Sequence, residues 1–357
     1  MLSKNLKQEK ISFSWGYPDL LDFPLENYKK EISSLKKKDL NKYLQYHPGQ
    51  GLENLRNEIV KQKMGDFGNV KSNEIIITPG ATFGIFLLAY FLKNNLGLNK
   101  IGVFLPCYDT ALEIFKIVDL EVVPLLLDKF DSKVQCLYLM PRFANPSGES
   151  FGKKTMSVVK KYIQNGSYVI EDDVYHTFQY KRNSYKSIKS QYPSKVFYLD
   201  SFSKILAPGL RLGYIASTSK HTKDLVFLQK FICSSASTIN QEIAFRLLKD
   251  KNYEKIIADA RLHYEQKMRL AISSLIKAGL DKYFIEPEGG YYIWLKTKKP
   301  YGGKTKESLY DAGVNLVSGD IYFTTKSHEN YVRLSIANIN KNEIRRSVQL
   351  IKQFLYE

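Results

Sequence analysis

Cysteine is scarce in this sequence, and the three present, Cys107, Cys136 and Cys233, are scattered. An odd, widely spaced set offers neither a metal-ligand pattern nor a disulfide framework. Long apolar stretches are missing too. The longest run, around Ile85 to Leu92, is far too short to cross a bilayer. The first ten residues carry no apolar core and no cleavage signal, so no secretory leader is expected. These absences predict a soluble, cytoplasmic protein with no metal and no membrane partner. Nothing repeats at a fixed period, and no segment is of low complexity.

Acidic residues are also in deficit: 53 Lys and Arg stand against 36 Asp and Glu, a formal charge of +17. Such a balance raises nucleic acid as a partner. The basic residues, however, come in short runs such as Lys36 to Lys38 and Lys160 to Lys161, with no tail and no basic helix. A solvated lysine-rich surface is expected, and no nucleic acid.

What is present is an ordinary globular composition, 44% hydrophobic and 25% charged over 357 residues. Short β-branched runs alternate with longer helical periods. Strands are expected at Glu74 to Thr78, Ile101 to Leu105, Val122 to Leu127, Cys136 to Met140, Tyr168 to Glu171, Val196 to Asp200 and Leu212 to Ala216. Strands spaced by helices imply an α/β fold with a mostly parallel sheet, whose ligands sit beyond the carboxyl ends of the strands. From about Lys220 to Ala278 helical spacing dominates. Strand-like segments at Gly289 to Leu295 and Tyr331 to Ser335 and a helix from Lys341 then complete a smaller α+β unit. Residues 1–25 are too irregular to form a core and are expected as an arm across the junction. A large unit over 26–245 and a small one over 246–357 follow.

Chemistry concentrates at the strand ends. The segment Ser201-Phe202-Ser203-Lys204 through Arg211-Leu212-Gly213 follows the strand ending at Asp200. Two hydroxyls, an amine and a guanidinium within eleven residues suit a phosphorylated aldehyde cofactor: three groups hold the phosphate and the amine forms an imine. Asp172 and Asp173 end another strand, where an unpaired carboxylate is costly unless it meets a cationic ring nitrogen. Asn145, in Pro141 to Gly148, offers an amide on a rigid turn. Gly80, Ala81 and Thr82 join a strand to a helix N-terminus, whose free N–H groups suit a phosphate.

These segments resemble the fold-type I pyridoxal-phosphate enzymes, in particular class I/II aminotransferases. The pattern is similar to the 2-aminoadipate/kynurenine aminotransferase group and to the aminotransferase-like half of GntR-type regulators, from Phe13 to about Leu350. The resemblance implies a large domain with a mostly parallel seven-stranded sheet, a smaller α+β domain, and pyridoxal 5'-phosphate as cofactor. Lys204 would be the Schiff-base lysine, with Ser201, Ser203 and Arg211 on the phosphate. Asp172 would pair with the ring nitrogen, favoured over Asp173 by its spacing to Tyr175. Asn145 and Tyr175 would contact the ring hydroxyl oxygen, and Tyr108 would stack on the ring. Gly80, Ala81 and Thr82 would cradle the phosphate, with one hydroxyl lost at Ala81. Tyr46 would reach the phosphate of a neighbouring subunit in a homodimer. Arg333 would clamp the substrate carboxylate, and Gly16 would let the backbone approach it.

The implied reaction moves an amino group between an L-amino acid and a 2-oxo acid. A pyridoxal-phosphate lyase or decarboxylase on the same fold is the nearest alternative. A non-catalytic pyridoxal-phosphate sensor is another. Arg333 favours transamination, and a match beginning near residue 11 leaves no winged helix for a DNA-binding regulator.

Overall fold

The computed structural model describes residues 10–14, 16–19, 24–181, 185–325, 328 and 330–357. Twelve strands lie among them: β1 (Ile11–Ser12), β2 (Ile75–Thr78), β3 (Lys100–Val103), β4 (Glu121–Pro124), β5 (Cys136–Leu139), β6 (Tyr168–Asp172), β7 (Val196–Ser201), β8 (Gly213–Ala216), β9 (Tyr292–Lys296), β10 (Val314–Asn315), β11 (Val317–Ser318) and β12 (Tyr331–Ser335).

Seven of them form one sheet in the order β2-β8-β7-β6-β5-β3-β4. Only β8 runs against its neighbours β2 and β7; the other pairings are parallel. The central strands are buried along their length, as expected of a sheet covered by helices on both faces. One cover is the apolar helix Ala81–Asn94, whose Ile85, Leu88 and Leu92 are buried in the main core. Another is the helix Lys153–Gln164 between β5 and β6, which the sequence reading did not single out.

The expected strand at Val122 to Leu127 is shorter. It stops at Pro124, which has no N–H to give to the ladder, and Leu126 and Leu127 are exposed. The expected strand Gly289 to Leu295 starts only at Tyr292. It pairs antiparallel with β12, and β11 completes a three-stranded sheet. Three helices, Ser219–Cys233, Thr238–Lys249 and Tyr253–Lys277, fill the helical stretch between the two sheets.

Near the chain start, β1 pairs in parallel with β10, and Phe13 is buried behind it. The Phe13 carbonyl then accepts the Ser335 N–H at 3.0 Å. The arm thus runs from the edge of β10 toward the carboxyl ends of the large sheet. Trp15 and residues 20–23 lie outside the described residues.

Candidate active site

Glu171, Asp172 and Asp173 stand in a row at the end of β6, and strand alternation sends them to opposite faces. Glu171 and Asp173 point away from the cavity. Glu171 accepts from the Tyr185 and Ser187 hydroxyls and from the N–H groups of Ile188 and Lys189. Asp173, fully buried, accepts a bidentate pair from Arg142, through Nε at 2.9 Å and through Nη2, and the Tyr198 hydroxyl at 2.9 Å. Asp172 faces the other way, into a cavity of about 530 Å³. Its carboxylate accepts the Tyr138 hydroxyl at 2.6 Å, with the Val174 N–H at 3.4 Å. Burial pushes its pKa up to about 7, partly opposed by the Tyr138 bond. The alternation puts Asp172, and not Asp173, in the cavity.

Lys204 follows β7 in a short 3-10 turn. Its Nζ enters the same cavity, lies 5.7 Å from the centre of the Tyr175 ring, and donates to the Gly16 carbonyl at 2.7 Å. Burial first, then the Arg333 and Arg211 charges, lower its pKa to about 8. Ser201 Oγ accepts the Ser203 N–H at 3.0 Å and donates to the Leu212 carbonyl at 3.3 Å, fixing the turn. Arg211 holds a left-handed backbone, φ 49°, a conformation that costs free energy in a residue with a side chain. Its guanidinium approaches Gly80: a Cβ there would sit 2.9 Å from Nη2, and Gly80 itself has φ 84°. Ala81 and Thr82 open the helix behind it and line the cavity.

Arg333, on β12, comes from the small sheet. Nη1 donates to Asn145 Oδ1 at 2.9 Å and Nη2 to the Ser14 carbonyl. The guanidinium lies 4.6 Å from the Tyr292 ring centre and 5.4 Å from that of Tyr322. Tyr292 also joins hydroxyls with Tyr175 at 2.9 Å, and a Cβ on Gly16 would come within 2.0 Å of that Tyr292 oxygen. Glycine at position 16 is therefore a steric requirement of this arrangement.

Of the residues singled out from sequence, Gly16, Ala81, Thr82, Tyr108, Asn145, Asp172, Tyr175, Ser201, Ser203, Lys204, Arg211 and Arg333 all line this cavity. Gly80 flanks it. Tyr46 does not join it: the side chain is 91% exposed, away from the cavity of its own chain. Tyr138, Tyr292, Asp109, Tyr322 and Arg142 were not anticipated. Tyr138 occupies an inward position of a buried strand, a signal shared by any core tyrosine. Arg142 sits in the Pro141 to Gly148 turn already noted, with nothing local to announce its partner.

The residues present fit the cofactor expected from sequence. Among the described residues no cationic side chain bonds the buried Asp172 carboxyl, as a cationic ring nitrogen requires. At the opposite end, Gly80 keeps clear the space between a helix N-terminus and the Arg211 guanidinium, which suits an anion. No group of acids, histidines and cysteines able to hold a metal ion occurs among the described residues.

The sequence profile of the family described as Aminotransferase class I and II matches residues 8–351. The aromatic-amino-acid aminotransferase 1 of Thermococcus litoralis is 26% identical, over 97% of this chain and 88% of its own. The HTH-type transcriptional regulator NorG of Staphylococcus aureus is 27% identical, over 87% of this chain and 72% of its own. The fold is that of the α-aminoadipate aminotransferase LysN of Thermus thermophilus, solved with N-(5'-phosphopyridoxyl)-L-leucine. The TM-score is 0.84 at 23% identity, covering 97% of this chain and 92% of that one.

Proposed function

The chain belongs to the aminotransferase class I and II family, and from that premise we propose how its own residues carry a pyridoxal-phosphate-dependent transfer of an amino group between an L-amino acid and a 2-oxo acid. The observation that carries the reading is that Lys204 from the turn after β7, Asp172 from β6 and Arg333 from β12 all line one cavity.

When bound, pyridoxal phosphate supplies an electron sink for the bond broken at the substrate α-carbon. The protein contributes position, charge and a movable proton. Arg211, Ser201, Ser203 and the helix opening at Ala81 would hold the phosphate, while Asp172, steadied by Tyr138, would hold the ring nitrogen in its protonated form. Tyr108 would cover the ring, and Tyr175 and Asn145 would contact its hydroxyl oxygen. Arg333 presents a planar fork to the substrate carboxylate. Asn145 and the Ser14 carbonyl fix that fork from behind, so the carboxylate is held in one orientation. Lys204 Nζ, its pKa lowered to about 8, loses its proton more readily than an ordinary lysine and serves as the base that takes and returns the α-proton.

The active form in this reading is a cytoplasmic homodimer in which Tyr46 reaches the partner's phosphate site. Residues 1–25 form an arm, 26–245 the cofactor-binding domain and 246–357 the small domain. Borohydride reduction of the cofactor-loaded protein should fix pyridoxyl mass on a peptide containing Lys204. Label on any other lysine would overturn the assignment. A screen of amino acids against several 2-oxo acids, followed by the cofactor's absorbance, tests the reaction itself.

A further inference from the structure

Charge around the cavity leaves one group unmatched. Its charged lining comprises Lys204, Arg211 and Arg333 against Asp172 and Asp109. In the aminotransferase reading, Arg211 meets the phosphate, Arg333 the substrate carboxylate and Asp172 the ring nitrogen, while Lys204 handles the amine and the α-proton. Asp109 alone is matched to no group of the cofactor or of the part common to all amino acid substrates.

Asp109 opens the helix Asp109–Ile117, directly after Tyr108. It is half-buried, its carboxylate accepts the Thr110 N–H at the helix start, and no salt bridge to it is found among the described residues. The Cys107 N–H bonds the Tyr322 carbonyl at 2.9 Å, which ties this segment to the turn Gly319–Tyr322. Asp109 therefore shares a wall with Ile321 and Tyr322, beside the Arg333 clamp. Burial raises its pKa while the Arg333 charge opposes that rise, as proximity to the clamp requires.

We propose that Asp109 selects the substrate side chain, favouring amino acids that end in an N–H donor, an amide or an ammonium, over those that end in a second carboxylate. The inference rests on the aminotransferase reading. A second carboxylate brought to this wall meets a like charge with no unassigned cation among the described lining residues. An amide or ammonium instead meets an acceptor in a partly desolvated place.

Glutamine and glutamate are close isosteres, so their ratio of kcat/KM isolates this effect. Glutamine should be the better donor for the wild type, and Asp109→Asn should move the ratio about 10- to 100-fold toward glutamate. Calorimetric dissociation constants of the unreactive 2-methylglutamine and 2-methylglutamate should shift in the same sense, a readout independent of turnover. Asp109→Ser serves if the asparagine variant fails to fold. A preference of the wild type for glutamate, or a ratio unmoved in the variant, overturns the selection. Failure of the aminotransferase reading looks different: borohydride then leaves Lys204 unlabelled and no amino acid alters the cofactor's spectrum.

Discussion

Asp172 titrates well above the usual carboxylate range. Burial lifts its pKa from 3.8 to about 7, so over that interval the folded, cofactor-free protein retains a proton that the unfolded chain has released. The stabilisation this brings is complete below pH 3.8 and is lost as pH rises through about 7. Compared with Asp172→Asn, the denaturation midpoint of cofactor-free wild type should therefore decline across that window. Parallel pH profiles for the two proteins would refute the burial of an uncompensated carboxyl. Arg333 is the second residue with a sharp expectation. Lysine cannot reproduce a fork held by Asn145 and Ser14. Arg333→Lys should cost about 2–4 kcal/mol in kcat/KM, roughly 30- to 1000-fold, by the scale of charged hydrogen bonds. The cofactor spectrum should stay unchanged. Kinetics like those of wild type would return Arg333 to an ordinary structural role.

Between elements, the Arg142–Asp173 pair has a definable task. Arg142 belongs to the turn after β5 that carries Asn145, and Asp173 directly follows Asp172 at the end of β6. The pair thus bolts together two strand ends whose neighbours face the cavity. Arg142→Met leaves Asp173 buried without its cation and should cost about 3–5 kcal/mol of stability. Arg142→Met with Asp173→Asn should cost less than the two single changes added together, measured by denaturant titration. An additive result would show the pair to be uncoupled. The strand ends themselves were legible in the sequence, because buried parallel strands read as short β-branched runs and each is followed by its turn. The turns that bring Lys204, Asn145 and Asp172 to one cavity were legible for the same reason, whereas the role of each residue came from the family resemblance. Arg142 and Tyr138 were not, because a partner across two strands leaves no local period. The pairing of β1 with β10 was hidden too: two residues are too few for alternation to register.

At the scale of the whole molecule, several large apolar side chains stand in water. Tyr46, Leu44, Phe227 and Phe231 are 91%, 71%, 62% and 71% exposed. A homodimer that covers them would also bring Tyr46 to its partner's phosphate. Sedimentation should give a dimer, and Tyr46→Phe should weaken cofactor retention while leaving the dimer intact; a fully active monomer would refute both. The arm that begins at Ile11 has a different consequence, one of timing. Its strand partner, Val314, emerges from the ribosome about 300 residues later, and Ser335, which bonds the Phe13 carbonyl, later still. At roughly 5–20 residues per second the arm waits on the order of a quarter-minute to a minute before its neighbours exist. The Gly16 carbonyl that receives the Lys204 amine lies on that same arm. In a nascent chain the large sheet can assemble first, but this edge of the cavity closes only after Val314 and Ser335 have been made.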